Sequence, residues 1–271
     1  SNLVGFQNYA EYSLATKMAD STDQVLDFLR DLTARSRSAA EQELTVLQEF
    51  AGMDLQQWDI AFWLEKYKQA KLSVSNEELR QYFPATTVIK GLFELAARLY
   101  DVSLFQESDV AVWHEDARYF RIEDSAGQVI GGFYTDIYAR NGKRNGAWID
   151  ECISRQSLNG KTELPVGYLV CNFPPLDDIG LSLLTHDDVV TLFHEFGHML
   201  HHLLTRIDVP SISGINGVPW DAVELPSQFM ENFAWSYEVL KKCSSHSESG
   251  DPLPRELFDK LEQSRNVGAG L

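Results

Sequence analysis

Apolar residues recur at helical spacing along the first hundred positions of the sequence. Three or four positions separate successive apolar side chains, so each segment presents one apolar face, which is typical of amphipathic helices packed on a core. Helices are predicted from Phe6 to Met18, from the capping residues 20–23 to Gly52, after Asp54, after the capping box of Ser75 and Glu78, and from Pro84 to Leu99.

The pattern changes near Asp109, where apolar and polar residues alternate over short segments. Such alternation predicts strands, here at residues 110–114, 119–122, 129–138 and 166–173. Two more helices are predicted, from about Asp187 to Thr205 and from about Ala222 to Lys241. The order predicts a mainly α fold with a small β-sheet. We divide the chain into a helical region, residues 1–108, and a region of the sheet and two helices, residues 109–271.

Composition and charge exclude several classes of partner. The net charge is −17 and the pI is near 4.7, so a phosphate backbone would be repelled, and nucleic acid is not expected as a partner. The sequence has no apolar run of about eighteen residues and no secretory signal at its start, so neither a membrane span nor export is expected. Three cysteines without a CxxC pair suit a reducing compartment, and we expect a cytoplasmic protein.

The segment from Thr191 to His202 carries the strongest chemical signal. His194 and His198 are four residues apart, so a helix turns both imidazoles to one side, where they can bind one cation. Glu195 lies at the edge of that face and can take a proton from a water that the cation activates. A helix can carry two histidines without function, but the apolar residues around these predict a buried helix, where an imidazole needs a partner. The segment therefore predicts the zinc site of a metallopeptidase.

A catalytic zinc site needs a third protein ligand and one open position. Glu224 and Glu231 are both candidates, because a separation of seven residues puts them on one helical face. Glu224 comes at the start of the predicted helix and is better placed to reach out to a metal. Glu231 suits a hydrogen bond to the free N–H of a ligand histidine. The spacing favours Glu224 as the ligand but leaves both assignments open.

Two segments together resemble the thimet oligopeptidase family, and within it the branch of bacterial oligopeptidase A. They are residues 194–204, HEFGHMLHHLL, and residues 223–233, VELPSQFMENF. The resemblance continues in VWHED at 112–116, in GFYTDIYAR at 132–140 and in GFQNYAE at 5–11, so it covers essentially the whole chain.

The resemblance implies a mainly α, zincin-like peptidase region with a small sheet beside the active-site helix. It also implies that Glu224 is the third ligand and that one Zn²⁺ is bound per chain. The implied activity is endopeptidase cleavage of short peptides in a deep channel, by a full-length parent that is monomeric.

A strand edge beside the zinc could pair with an extended peptide through backbone hydrogen bonds. Tyr134, Asp136 and Arg140 are therefore candidates to line the channel, and an internal Asp–Arg pair at a solvated strand end is the alternative. Gly214 belongs to a loop, residues 213–217, that could flex over a substrate, because glycine permits the backbone changes of a lid.

The sequence also departs from the family, whose members are far longer. A later segment of theirs holds a tyrosine- and histidine-bearing run that helps to bind substrate and to stabilise the oxyanion. These 271 residues contain no such run, so we expect an excised piece that binds metal but cleaves peptides weakly. Two other functions stay open: a peptidyl-dipeptidase of the same family, and a metal-binding fragment without turnover. The intact Glu195 argues against the fragment without turnover for the parent protein.

Overall fold

The computed structural model describes residues 1–72 and 75–271. Helices hold 44% and strands 17% of the chain, which confirms the prediction of a mainly α fold with a small sheet. In chain order the helices are α1 (Tyr9–Leu14), α2 (Thr22–Ala51), α3 (Ile60–Leu72), α4 (Asn76–Arg80), α5 (Ala85–Tyr100), α6 (His186–Leu203), α7 (Leu225–Glu231), α8 (Tyr237–Leu240) and α9 (Arg255–Ser264). The strands are β1 (Val102–Glu107), β2 (Arg118–Asp124), β3 (Val129–Tyr138), β4 (Trp148–Ile153), β5 (Gln156–Leu158), β6 (Lys161–Glu163) and β7 (Val166–Phe173).

The backbone forms two compact units. The smaller unit contains Ser1–Ser75, Pro219–Asp221 and Glu256–Leu271, and the larger contains Asn76–Val218 and Ala222–Arg255. The division predicted between residues 108 and 109 stays a prediction. Helix α5 packs on β1, and both belong to the unit that holds the sheet. In the described part of the chain, no helix combines the length and the apolar composition that a bilayer crossing requires.

The smaller unit contains the long helix α2. The helix begins after Ser21 and ends before Gly52, which confirms the predicted start and end. The hydroxyl of Ser21 accepts the backbone N–H of Gln24 at the start of the helix, which satisfies one of the free N–H groups there. Gly52 ends the helix in the left-handed conformation, with φ 70°. Near this end the ring of Phe50 lies 5.3 Å from that of Tyr67 on α3, so aromatic packing joins the two helices.

The larger unit contains a five-stranded sheet in the order β1-β2-β3-β7-β4. Strands β3 and β7 are parallel, and the other neighbours are antiparallel. Phe120, Phe133 and Leu169 are buried on one face. The rings of Phe93 on α5 and Phe196 on α6 lie 6.0 and 5.9 Å from that of Phe133. These ring contacts seat α6 on the apolar face of the sheet.

One predicted strand is wrong, and four strands, β1, β4, β5 and β6, were not predicted. Residues 110–114 are a loop. In this loop Trp113 packs its ring 5.3 Å from that of Tyr134 and donates its indole N–H to Asp136, so tertiary contacts hold the segment. Strand β1 pairs with β2 at the edge of the sheet and follows α5 directly, after Asp101 in the left-handed conformation with φ 55°. Strands β2, β3 and β7 lie where they were predicted.

The helix predicted from Ala222 to Lys241 is also wrong, because the chain forms α7, a 3₁₀ turn at Asn232–Trp235 and α8 instead. The carbonyl oxygen of Ala234 accepts a hydrogen bond from Nε2 of the buried His186, at 2.8 Å. In a continuous α-helix this carbonyl would accept the N–H of residue 238. Here it accepts a hydrogen bond from the distant His186 side chain instead.

Candidate metal centre

Helix α6 carries the two histidines of the predicted site. It starts with a capping box, in which the Thr185 hydroxyl accepts the N–H of Asp188 and the Asp188 carboxylate accepts the N–H of Thr185. One side of the helix is buried in apolar contacts of Val189, Leu192, Phe193, Phe196, Met199, Leu200 and Leu203. The side chains of His194 and His198 are 26% and 12% exposed, so both lie at the edge of the buried face. The predicted helix is confirmed, and it presents both imidazoles on one side.

Glu224 meets these imidazoles from the residue that precedes α7. Its Oε2 atom lies 3.2 Å from Nε2 of His194 and 3.0 Å from Nε2 of His198. The ligand atoms of the three residues all lie within 4.8 Å of one another. Pro226 occupies the first turn of α7, where its missing N–H leaves no helical hydrogen bond unmade. In the described residues, this is the group of histidine, cysteine and acidic side chains that could hold a metal ion.

Glu231 lies at the other end of α7 and contacts the far side of the His194 ring. Its Oε1 atom is 2.6 Å from Nδ1 of His194. A carboxylate accepts, so Nδ1 carries the proton, and Nε2 keeps its lone pair for a cation. Glu224 and Glu231 therefore touch opposite nitrogens of one imidazole, Glu224 at Nε2, on the side shared with His198, and Glu231 at Nδ1.

Glu195 is buried beside this group, with 7% of the residue exposed. Burial raises the pKa of its carboxyl to about 6, the charge of His194 opposes the shift, and the charge of Glu224 adds to it. Burial also lowers the pKa of His198. A metal binds the neutral form of an imidazole, which a lowered pKa favours. A raised pKa suits a carboxylate that accepts and releases a proton.

The pKa of Glu224 is shifted in the opposite direction to that of Glu195. Burial alone would raise the pKa of its carboxyl, but the hydroxyl of Ser227 and the two imidazoles together hold it below the usual value. The Ser227 hydroxyl lies 2.8 Å from Oε2 of Glu224, on the oxygen that faces the imidazoles. Ser227 was not singled out from the sequence, although it stands inside the segment VELPSQ that carried the resemblance.

Asp136 and Arg140, predicted as channel residues, form an internal ion pair, and their place in a peptide channel stays a prediction. The guanidinium of Arg140 donates to both oxygens of Asp136, at 2.5 and 2.7 Å. Lys143 donates to the same carboxylate at 2.9 Å and to three backbone carbonyl oxygens, and Trp113 donates at 2.9 Å. The Asp136 side chain is only 5% exposed and the Arg140 side chain is 26% exposed, so the carboxylate is buried and the guanidinium is partly exposed. Tyr134 packs its ring 4.8 Å from that of Tyr119 on the neighbouring strand.

Gly214, predicted as part of a lid, packs on the C-terminal turn of α6. A β-carbon at Gly214 would lie 2.6 Å from Nδ1 of His202, and its φ of 62° is the left-handed conformation that favours glycine. His202 is fully buried, and its Nε2 lies 3.1 Å from the carbonyl oxygens of Ile153 and Val166. The role of this loop as a lid stays a prediction.

Comparison with known proteins identifies the family. The sequence model described as peptidase family M3 matches residues 1–271. Oligopeptidase A of Escherichia coli (strain K12) is 51% identical over 277 residues, which cover all of this chain and 41% of that protein. Dipeptidyl carboxypeptidase of the same organism is 36% identical and saccharolysin of Saccharomyces cerevisiae is 31% identical, again over all of this chain and over 40% and 41% of those proteins.

The chain spans about two fifths of the length of the curated relatives that it matches. The resemblance read from the two segments around His194 and Glu224 is confirmed, both for the family and for the relatives named oligopeptidase A. The chain belongs to peptidase family M3.

Proposed function

We propose that this chain carries the zinc site of an oligopeptidase, an endopeptidase with a zincin-like fold that hydrolyses short peptides. In the proposal His194, His198 and Glu224 bind one Zn²⁺, and Glu195 is the general base. The observation that carries it is the convergence of two imidazole nitrogens on one carboxylate oxygen, at 3.2 and 3.0 Å, beside a buried glutamate.

The donor set suits zinc in kind and in spacing. Imidazole nitrogen and carboxylate oxygen bind zinc at about 2.0–2.2 Å, so two such ligands at a tetrahedral angle lie about 3.4 Å apart. The separations of 3.0 and 3.2 Å, and the limit of 4.8 Å for the whole group, need only small side-chain movements to meet that value. Three protein ligands leave a fourth position open, where zinc would polarise the attacking water and the scissile carbonyl.

The side chains around the metal position have separable tasks. Glu195 takes the proton of the attacking water and passes it to the leaving amine, and a pKa of about 6 leaves it ionised at pH 7. Glu231 holds the Nδ1 proton of His194 and so orients the ring with Nε2 toward the cation. Ser227 holds the Glu224 oxygen that faces both imidazoles.

The relatives support short peptides as the substrate class. Identity is 51% with a protein named oligopeptidase A and 36% with one named dipeptidyl carboxypeptidase. A cytoplasmic location is part of the proposal, and one relative at 40% identity is named probable cytosolic oligopeptidase A. Because the chain matches two fifths of these proteins, the activity proposed is that of the whole protein that contains it.

The test is Glu195→Gln in the protein that contains this chain, assayed with a short quenched fluorescent peptide and by metal analysis. We expect one zinc per molecule and no turnover, because Glu195 moves the proton but does not bind the metal. Asp187→Asn, which changes an exposed carboxylate on the same helix, is the matched control and should retain full activity. Substantial peptide cleavage by Glu195→Gln would show that the general base is another residue.

A peptidyl-dipeptidase is the second candidate function, favoured by the match to dipeptidyl carboxypeptidase. An enzyme of that kind releases dipeptides and needs the free C-terminal carboxylate of its substrate. A peptide with an amidated C-terminus separates the two functions: the proposed endopeptidase cleaves it, and a peptidyl-dipeptidase does not.

A further inference from the structure

Helices α6 and α7 lie close together at Gly197, which stands between the two histidines. A β-carbon on Gly197 would lie 2.5 Å from the carbonyl oxygen of Pro226 and 2.7 Å from Cα of Ser227. Both are backbone atoms, so no side-chain rotation could relieve the contact. Only a residue without a β-carbon permits this separation of the two helices.

Glycine is otherwise a poor choice at this position. It lies in the interior of α6, where glycine is less favourable than alanine because it loses more backbone freedom on folding. Gly197 has an ordinary helical conformation, so no positive φ requires it. The close approach of α7 is the physical reason for a glycine here.

The atoms that α7 brings to this contact belong to the metal site. Ser227 is fully buried, and its hydroxyl lies 2.8 Å from Oε2 and 2.9 Å from the backbone carbonyl oxygen of Glu224. The same Oε2 atom is the one that lies 3.2 and 3.0 Å from the imidazoles. The residue whose backbone touches Gly197 is therefore the residue that orients the third ligand.

We propose that Gly197 and Ser227 are positioning residues that set the reach of Glu224 to the metal. Gly197 lets the start of α7 lie against α6, and Ser227 then fixes the carboxylate with one oxygen toward the imidazoles. The inference rests on the metal ligands of the proposed function, but it concerns metal affinity and not turnover. Neither residue contacts the reacting groups.

The first test replaces Ser227 by Ala and measures the zinc dissociation constant by competition with a chromophoric chelator. We expect affinity to fall by about 10–100-fold, the usual effect of removing a group that orients a metal ligand. Gln228→Ala, an exposed change on the same helix, is the matched control and should leave affinity unchanged. Ser227→Thr keeps a hydroxyl and should recover part of the loss.

The second test is Gly197→Ala, which removes a poor helix former and so should not weaken α6 itself. We expect zinc affinity to fall at least as far as in Ser227→Ala, because α7 must move away. The Co²⁺-substituted variant should show an altered visible absorption spectrum, because loss of the Glu224 ligand changes the coordination. If Gly197→Ala does not fold, Ser227→Ala alone decides the question.

Wild-type zinc affinity in Ser227→Ala would overturn the inference, and so would an unchanged Co²⁺ spectrum in a folded Gly197→Ala. These outcomes are independent of peptide cleavage. A protein that binds zinc through these residues but cleaves no peptide would contradict the proposed function and leave the positioning role intact.

Discussion

Replacing Asp136 by Asn should destabilise the unit that holds the sheet and leave substrate binding unchanged. The carboxylate accepts from Arg140, Lys143 and Trp113, all at 2.5–2.9 Å, and its side chain is 5% exposed. The Lys143 side chain is also 5% exposed. The substitution keeps the shape of the side chain but removes the negative charge, so it leaves a buried ammonium beside a neutral amide.

The size of the effect follows from these contacts. Removing one partner of a buried ion pair costs about 3–5 kcal/mol. Lys143 retains the carbonyl oxygens of Asp136, Tyr138 and Cys171, and the Arg140 side chain is 26% exposed, so we expect the lower end, about 3 kcal/mol. With about 2–4 °C for each kcal/mol in a protein of this size, the melting temperature should fall by about 6–12 °C.

The loss should be the same at every pH from about 5 to 8. Burial alone would raise the pKa of Asp136, but Arg140, Lys143 and Trp113 together hold it well below its usual range. A carboxyl with a depressed pKa contributes its stabilisation at any pH above the unfolded value of about 3.9, and loses it only as pH falls through the folded value.

The assay is thermal and urea-induced unfolding, with peptide kinetics measured well below the melting temperature. Glu107→Gln is the control, since it breaks a partly exposed pair with Arg121 and should cost about 1 kcal/mol or less. An unchanged melting temperature together with a raised KM would refute this reasoning, and would mean that Asp136 and Arg140 line the peptide channel.

Three further predictions concern the metal site and the thiols. Glu231→Gln should weaken zinc binding by about 10–100-fold without emptying the site at saturating metal, because His194 loses its anionic partner; unchanged affinity would contradict that role. Peptide cleavage at saturating zinc should fall as pH drops and Glu195 is protonated; a flat profile down to pH 4.5 would exclude it as the titrating base. Of the three cysteines Cys152 alone should react quickly with a thiol reagent in the native protein, because the other two are buried and burial raises their pKa; two fast thiols would contradict the structure.

The sequence predicts an element well where one local rule governs it. Helix α2 begins at Ser21 and ends at Gly52 because a hydroxyl cap and a left-handed glycine act within a few residues of each end. Strands β3 and β7 are buried along most of their length, and their predicted and observed limits agree. Residues four apart on α6 determine that His194 and His198 share a side, whatever surrounds the helix.

Distant contacts decide the elements that were missed. The break between α7 and α8 depends on His186, which lies 48 residues before the carbonyl that it binds. The loop at 110–114 depends on Asp136, whose carboxylate accepts the Trp113 N–H from 23 residues away. In both segments the local pattern is compatible with regular structure. A tertiary hydrogen bond holds another conformation, through the Ala234 carbonyl in one segment and the Trp113 side chain in the other.

The choice of Glu224 over Glu231 as the proposed third metal ligand depends on both local spacing and distant contacts, so spacing alone could not decide it. Both carboxylates reach His194, one at each ring nitrogen, so both satisfy the geometric condition that the sequence offered. What separates them is the side of the ring that each meets, and this depends on how closely α7 lies to α6. In our proposal the distance between α6 and α7 is set by Gly197. A glycine adds no apolar periodicity and no charge to the sequence, so the pattern of residues does not indicate this role. The spacing of the histidines therefore predicts which residues share a face of α6, and Gly197 determines which of the two glutamates reaches that face.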